Sequence, residues 1–208
     1  VDDLVALTAD GGPALIFGAP MIEGGQLHNS VVAADGGQMA VRHKHHLPNY
    51  AVFDEKRLFH AGPLPAPVEM RGVRLGLPIC EDIWFGNVCA HLKAQGAELL
   101  VSPNGSPFER GKHDKRCAHA HARVGETGLP LVYVNQFGGQ DELVFDGGSF
   151  VMAGDGEIAV QGVVWSSDIM MTDWHCGDGA WTCAPQTAVT APDDLAQIYQ
   201  AAMLGLRD

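Results

Sequence analysis

The chain has 208 residues, enough for one ordinary domain, and its 25 Asp and Glu outweigh 13 Lys and Arg for a formal charge of −12. Hydrophobic residues at 46% can fill a core, and charged residues at 18% are too few for a disordered chain. The acidic balance argues against nucleic acid or an anionic membrane as partner, because each phosphate contact needs a cation. No apolar run approaches the roughly 18 residues of a membrane span, and no basic-then-apolar leader opens the sequence. The five cysteines (Cys80, Cys89, Cys117, Cys176, Cys183) are odd in number and form no C-x-x-C pair, so a reducing compartment with one useful thiol is expected rather than a disulfide framework.

In chain order, Val1 sits among residues that read as the tail of a helix (Asp3, Leu4, Leu7, Thr8), so the sequence is expected to begin mid-domain. A short apolar strand is predicted over 14–19. A β-hairpin follows over 27–34 and 38–42, turning at Asp35-Gly36-Gly37. A polar, His-rich loop runs from His43 to about His60. A strand over 72–79 is expected to deliver Cys80 at its C-terminal end, with a short helix over 88–95 stopped by Gly96. Further predicted elements are a strand over 98–102, an Ala-rich helix over 112–127 ended by Gly128, and a buried strand over 131–135. This alternation is an α/β pattern. From Leu143 onward, short segments separated by glycine turns indicate antiparallel pairs and therefore mixed sheets. Gly138-Gly139-Gln140 and Gly147-Gly148 read as turns, since neither carries a phosphate-loop pattern. A terminal helix is predicted over 193–206, with Leu195, Ile198, Ala202 and Leu206 on its packed face.

Cys80 stands out, because a thiol at a strand end before a helix is held on a turn whose N–H groups can stabilise a thiolate and a later oxyanion. The other four cysteines read as small buried hydrophobes. His43-Lys44-His45-His46 does not read as a metal site: neighbours in an extended segment point to opposite faces, and no further ligand stands at zinc spacing. Lys44 is a candidate cation for an anionic intermediate, although a lone Lys is more often exposed, and it is expected to contribute little to packing. A carboxylate at Asp54 or Glu55 would keep it protonated. The turn Asn104-Gly105-Ser106-Pro107-Phe108 follows a strand, where ligands gather in α/β proteins.

Four segments taken together, KHHLPNYAVFDEKR (44–57), GLPICEDIW (76–84), NGSPF (104–108) and LPLVYVNQFGGQDELVFDG (129–147), resemble the nitrilase-type glutaminase domain of glutamine-dependent NAD synthetases. The resemblance covers nearly the whole chain. It implies an α-β-β-α sandwich of the nitrilase superfamily, incomplete at the N-terminus, with a carbon-nitrogen hydrolase domain over 1–188. Residues 189–208 would be a linker and the opening helix of an ATP-dependent synthetase domain. It further implies Cys80 as nucleophile, Lys44 as catalytic lysine, and the Glu81 backbone N–H as an oxyanion donor. Tyr50, Glu55 and Ser106 would line the glutamine pocket. The family's general-base Glu would lie on a strand upstream of Val1, so residues 1–208 alone are expected to be inactive. The activity implied is hydrolysis of L-glutamine to supply ammonia for conversion of nicotinate adenine dinucleotide to NAD, by a cytoplasmic homo-oligomer. No cofactor or metal is expected in this chain, ATP and Mg being expected for the synthetase domain. The alternatives are a stand-alone nitrilase-superfamily amidase and a non-catalytic scaffold.

Overall fold

The computed structural model describes residues 1–187, 189–190 and 192–208. The domain boundary expected at 188/189 falls on Ala188, outside the described residues. Two compact units are present, Val1–Pro103 and Asn104–Asp208.

The first unit opens with α1 (Asp2–Ala6) and a three-stranded antiparallel sheet of β1 (Leu15–Glu23), β2 (Gln26–Asp35) and β3 (Gln38–His43), with β2 in the middle. The central strand is buried on both faces, which is why Val31, Val32, Ala33 and Ala34 run consecutively without polar alternation. The turn joining β2 to β3 has Gly36 and Gly37 at φ +57 and +74, which explains the paired glycines. A second sheet is mixed: β4 (Val68–Met70) runs antiparallel to β5 (Val73–Gly76), and β5 parallel to β6 (Leu99–Asn104). Between β5 and β6, α2 (Gly86–Ala94) buries Val88, Cys89 and Leu92. Gly76 permits this crossover to pack closely, because a Cβ there would lie 2.7 Å from Leu100 and 3.2 Å from Leu92.

The second unit holds α3 (Lys112–Thr127), bounded by left-handed Gly111 and Gly128, and an antiparallel sheet in which β10 (Phe150–Met152) lies between β7 (Leu131–Asn135) and β11 (Ile158–Gln161). Tyr133 and Phe150 stack across β7 and β10 at 4.8 Å. Two hairpins, β8 (Phe137–Gln140) with β9 (Leu143–Asp146) and β12 (Trp174–Gly177) with β13 (Ala180–Cys183), precede α4 (Asp194–Arg207), whose N-cap Asp193 accepts the Ala196 N–H.

Four expectations are corrected. The strand before Cys80 stops at Gly76, and Leu77-Pro78-Ile79 leads instead into a 3₁₀ helix over Cys80–Trp84. Gly138-Gly139-Gln140 is a strand, because the hairpin turns later, at Asp141 (φ +53) and Glu142. On α4, Leu195 and Leu206 are 77% and 83% exposed, and the buried residue is Leu204 on the face towards β8 and β9. Cys176 is exposed rather than a core residue.

Candidate active site

Cys80 is the first residue of the 3₁₀ helix and adopts φ +47, a left-handed conformation that costs a non-glycine residue about 1–2 kcal/mol. The Glu81 N–H is among the first N–H groups of this short helix, which have no acceptor within it. Ile83, fully buried, anchors the turn. The Glu81 carboxylate is itself buried and accepts the Tyr50 hydroxyl at 2.9 and 3.0 Å. Burial, then the Glu81 carboxylate and the nearby Cys80 sulfur, push the Tyr50 phenol well above its ordinary range. Tyr50 is therefore a neutral hydroxyl within electrostatic reach of Cys80.

Lys44 follows β3 directly and is 1% exposed. Its backbone is fixed on both sides, its N–H donating to the Asn29 carbonyl and its carbonyl accepting the Gly62 N–H, each at 2.8 Å. Gly62 cannot carry a side chain, since a Cβ would lie 2.5 Å from that of His43. The Lys44 ammonium donates to Glu55 Oε1 at 2.7 Å, and Asn29 Nδ2 donates to the same oxygen at 3.4 Å. Glu55 Oε2 is buried without a hydrogen-bond partner among the described residues. The expectation that Lys44 contributes little to packing is thus corrected: it is a buried ion-pair partner. Asp54 pairs instead with Arg57 at the surface.

The histidines around Lys44 are occupied elsewhere. His43 bonds Ser30 Oγ and Glu23, His45 Nδ1 bonds the Gly62 carbonyl, and His46 bonds Asn87 and stacks on Phe85. A cavity of about 590 Å³ opens beside them, lined among others by His46, Tyr50, Phe59, Glu81 and Phe85.

Asp82, which the sequence reading passed over, is fully buried. Its Oδ2 accepts the Ile79 N–H at 3.0 Å, and its Oδ1 accepts the His45 and His46 N–H groups at 3.1 and 2.7 Å. Burial pushes this carboxyl above its ordinary range, opposed by the His46 and Ile79 N–H groups and by the Lys44 charge. An acidic residue two positions after the candidate nucleophile was the available signal.

Cys80, Lys44, Tyr50, Glu55 and Glu81 all belong to the first unit; Ser106 stands in the second, in the turn after β6. There its N–H donates to Asn135 Oδ1, and Arg116, 1% exposed, donates from Nε to its hydroxyl at 3.0 Å. Arg116 also donates to the Ser106 and Pro107 carbonyls and forks onto both Asp146 oxygens at 2.9 and 3.0 Å. Of the other thiols, Cys89 and Cys183 are buried, and Cys117 is pushed up to about 11, chiefly by burial.

A thiol on a strained turn, a buried lysine and clustered carboxylates, carried on mixed sheets flanked by helices, define a hydrolase scaffold of one class. The carbon-nitrogen hydrolase family profile matches residues 1–178, and the chain belongs to that family, with its nitrilase-type α-β-β-α sandwich fold. Within it the chain is similar to the glutamine-dependent NAD(+) synthetase of Rhodobacter capsulatus, 46% identical over 198 residues that make up 95% of this chain and 36% of that protein. The glutamine-dependent NAD+ synthetase of Acinetobacter baumannii, solved with adenosine diphosphate, superposes with a TM-score of 0.90 at 35% identity, over 99% of this chain and 39% of that one. A carbon-nitrogen hydrolase from Helicobacter pylori superposes at 0.69 with 27% identity, over 77% and 61%. The chain thus spans little more than a third of the NAD(+) synthetases it matches.

Proposed function

We propose that this chain is the glutaminase part of a glutamine-dependent NAD synthetase. The observation that carries the reading is the Lys44–Glu55 pair, a buried ammonium bonded to one carboxylate oxygen while the other oxygen has no partner among the described residues. A buried carboxylate oxygen without a donor is costly in the free protein and is satisfied by a ligand bringing an N–H, such as the α-ammonium of an amino acid.

On this reading the Cys80 thiolate attacks the side-chain amide carbon of glutamine, forming a C–S bond and a tetrahedral oxyanion. The Lys44 ammonium and the Glu81 N–H hold that oxyanion. Protonation of the amide nitrogen and breakage of the C–N bond release ammonia and leave a γ-glutamyl thioester, which water cleaves to glutamate and the free thiol. The proton carrier is the general-base glutamate that the resemblance implies for this family. Tyr50 lines the glutamine pocket of the first unit. Because Ser106 Oγ accepts from Arg116, its own proton is left to donate. The ammonia serves conversion of nicotinate adenine dinucleotide to NAD in the remaining length of the protein. ATP and Mg would be held in that part. The protein works as a cytoplasmic homo-oligomer.

The test uses the full-length protein. Cys80→Ala loses glutamine-dependent NAD formation and keeps ammonium-dependent formation; retention of the glutamine reaction overturns the assignment. Similarity to a solved amidase of the nitrilase superfamily favours a second reading, a stand-alone amidase. Hydrolysis of simple aliphatic amides faster than glutamine, with no NAD formed, would establish that reading instead.

A further inference from the structure

Two segments 36 residues apart carry the thiol and the lysine, and neither is held to the other by a strand ladder. Cys80 lies in a turn after β5 has ended, and Lys44 in extended chain after β3 has ended. Asp82 joins them. One carboxylate oxygen takes the N–H of the residue before Cys80; the other takes the N–H groups of the two residues after Lys44. The Asp82 N–H closes the same turn onto the Ile79 carbonyl at 3.0 Å.

We propose that Asp82 is a positioning residue for amide hydrolysis: its carboxylate fixes the Lys44 segment against the strained Cys80 turn and so sets where the ammonium stands relative to the sulfur. The inference deepens the glutaminase reading and rests on it for the identity of the reacting groups. Three features distinguish this role from simple core filling. The carboxylate is fully buried in a part of the chain with no regular ladder, so its three acceptor contacts replace backbone pairing that both segments lack. All three partners are backbone groups, so Asp82 fixes main-chain positions whatever side chains His45, His46 and Ile79 carry. The conformation it secures is also strained at Cys80, and strain of this kind persists only where surrounding bonds over-determine it. Asp82 touches no reacting atom. It acts through Lys44 and Cys80, where a misplacement of about 1 Å lowers a rate by about 10²-fold.

The experiment compares Asp82→Asn and Asp82→Glu with wild type in the full-length protein. Asparagine presents an NH₂ group where one of the N–H donors now points, and glutamate carries the same charge one methylene further. Expected for Asp82→Asn is a fall in kcat for glutamine of about 10²-fold with KM little changed. Cys80 alkylation by iodoacetamide, read by peptide mapping so that exposed Cys176 does not contribute, moves to higher pH as the ammonium loses its place beside the thiolate. Asp82→Glu changes both readouts in the same direction and less. A structural role alone lowers the melting temperature and leaves kcat and the alkylation profile of the folded protein unmoved, and that result overturns the proposal. If neither variant folds, amide exchange of wild type decides: His45, His46 and Ile79 protected and opening together support the tie, and fast exchange at His45 and His46 removes it. Should wild type not use glutamine at all, the glutaminase reading fails while the alkylation profile still tests Asp82.

Discussion

Among the described residues each unit holds a buried cation paired with a carboxylate, and the two pairs are built differently. In the second unit Arg116 spends its guanidinium on five contacts, two of them a fork onto Asp146, so both charged groups are satisfied. In the first unit Lys44 reaches a single oxygen of Glu55, and the second oxygen has no partner among the described residues. The planar fork locks a turn and a strand together and asks nothing of a ligand. The compact ammonium and half-satisfied carboxylate keep capacity in hand, at a cost in stability that a scaffold alone would not need. The contrast teaches that burial of a charge does not by itself separate a strut from a ligand site; on the glutaminase reading, incomplete satisfaction does.

The comparison breaks most visibly at its structural side. Arg116→Met leaves Asp146 buried without its cation and lowers stability by about 3–5 kcal/mol, measured by denaturant unfolding. A loss below about 1 kcal/mol would show that the fork is not a strut. Lys44→Met behaves in the opposite way: glutamine turnover by the full-length protein falls about 10²–10³-fold, while stability drops by only about 1–3 kcal/mol because Glu55 is 19% exposed and can recover water. Equal destabilisation by the two substitutions would erase the distinction. Glu55→Gln sharpens it. The amide oxygen still accepts from Lys44 but offers no charge to a substrate ammonium, so KM for glutamine rises about 10–100-fold with a smaller change in kcat. An unchanged KM would mean that the orphan oxygen meets no substrate.

The smallest effect is a pH slope in the second unit. Burial, then the Arg116 charge, holds the His113 imidazole below its ordinary range, so it is neutral in the folded chain and takes a proton on unfolding. Its contribution to stability is complete above the ordinary histidine range and is lost as pH falls through that range towards the lowered value. His113→Gln should reduce the slope of unfolding free energy against pH below about 6.5. Some slope will remain, because His119 is lowered for the same reason. A slope identical to wild type would remove His113 from the account.

How much of this was legible in the sequence depended on whether a local rule or a long-range contact decided each element. The helix over 112–127 is bounded by glycines at φ +68 and +67, and the 35–37 turn needs two positive φ values; both signals are local and both were read correctly. The run before Cys80 looked like continuous strand because Leu77 and Ile79 are apolar, yet they are buried without sheet pairing. Glycines at 138 and 139 resembled a turn because composition cannot distinguish a glycine-rich hairpin strand from its loop. The packed face of α4 was misplaced because the periodicity of its apolar residues leaves two stripes, and contact with β8 and β9 selected the one carrying Leu204. At the candidate site, the resemblance named Cys80, Lys44, Tyr50, Glu55 and Glu81. The contacts of Asp82 with the His45 and His46 N–H groups join residues 37 and 36 positions apart, which no spacing rule reaches.

The left-handed backbone at Cys80 carries a consequence for anyone who tries to make this protein hardier. Glycine adopts φ +47 without the steric penalty that a side chain incurs, so Cys80→Gly relieves about 1–2 kcal/mol of strain, against which stand the greater freedom of glycine in the unfolded chain and the contacts of the half-buried thiol. Selection for heat resistance alone, with no demand for turnover, would therefore act on the sulfur only through those contacts, and not through the backbone that holds it.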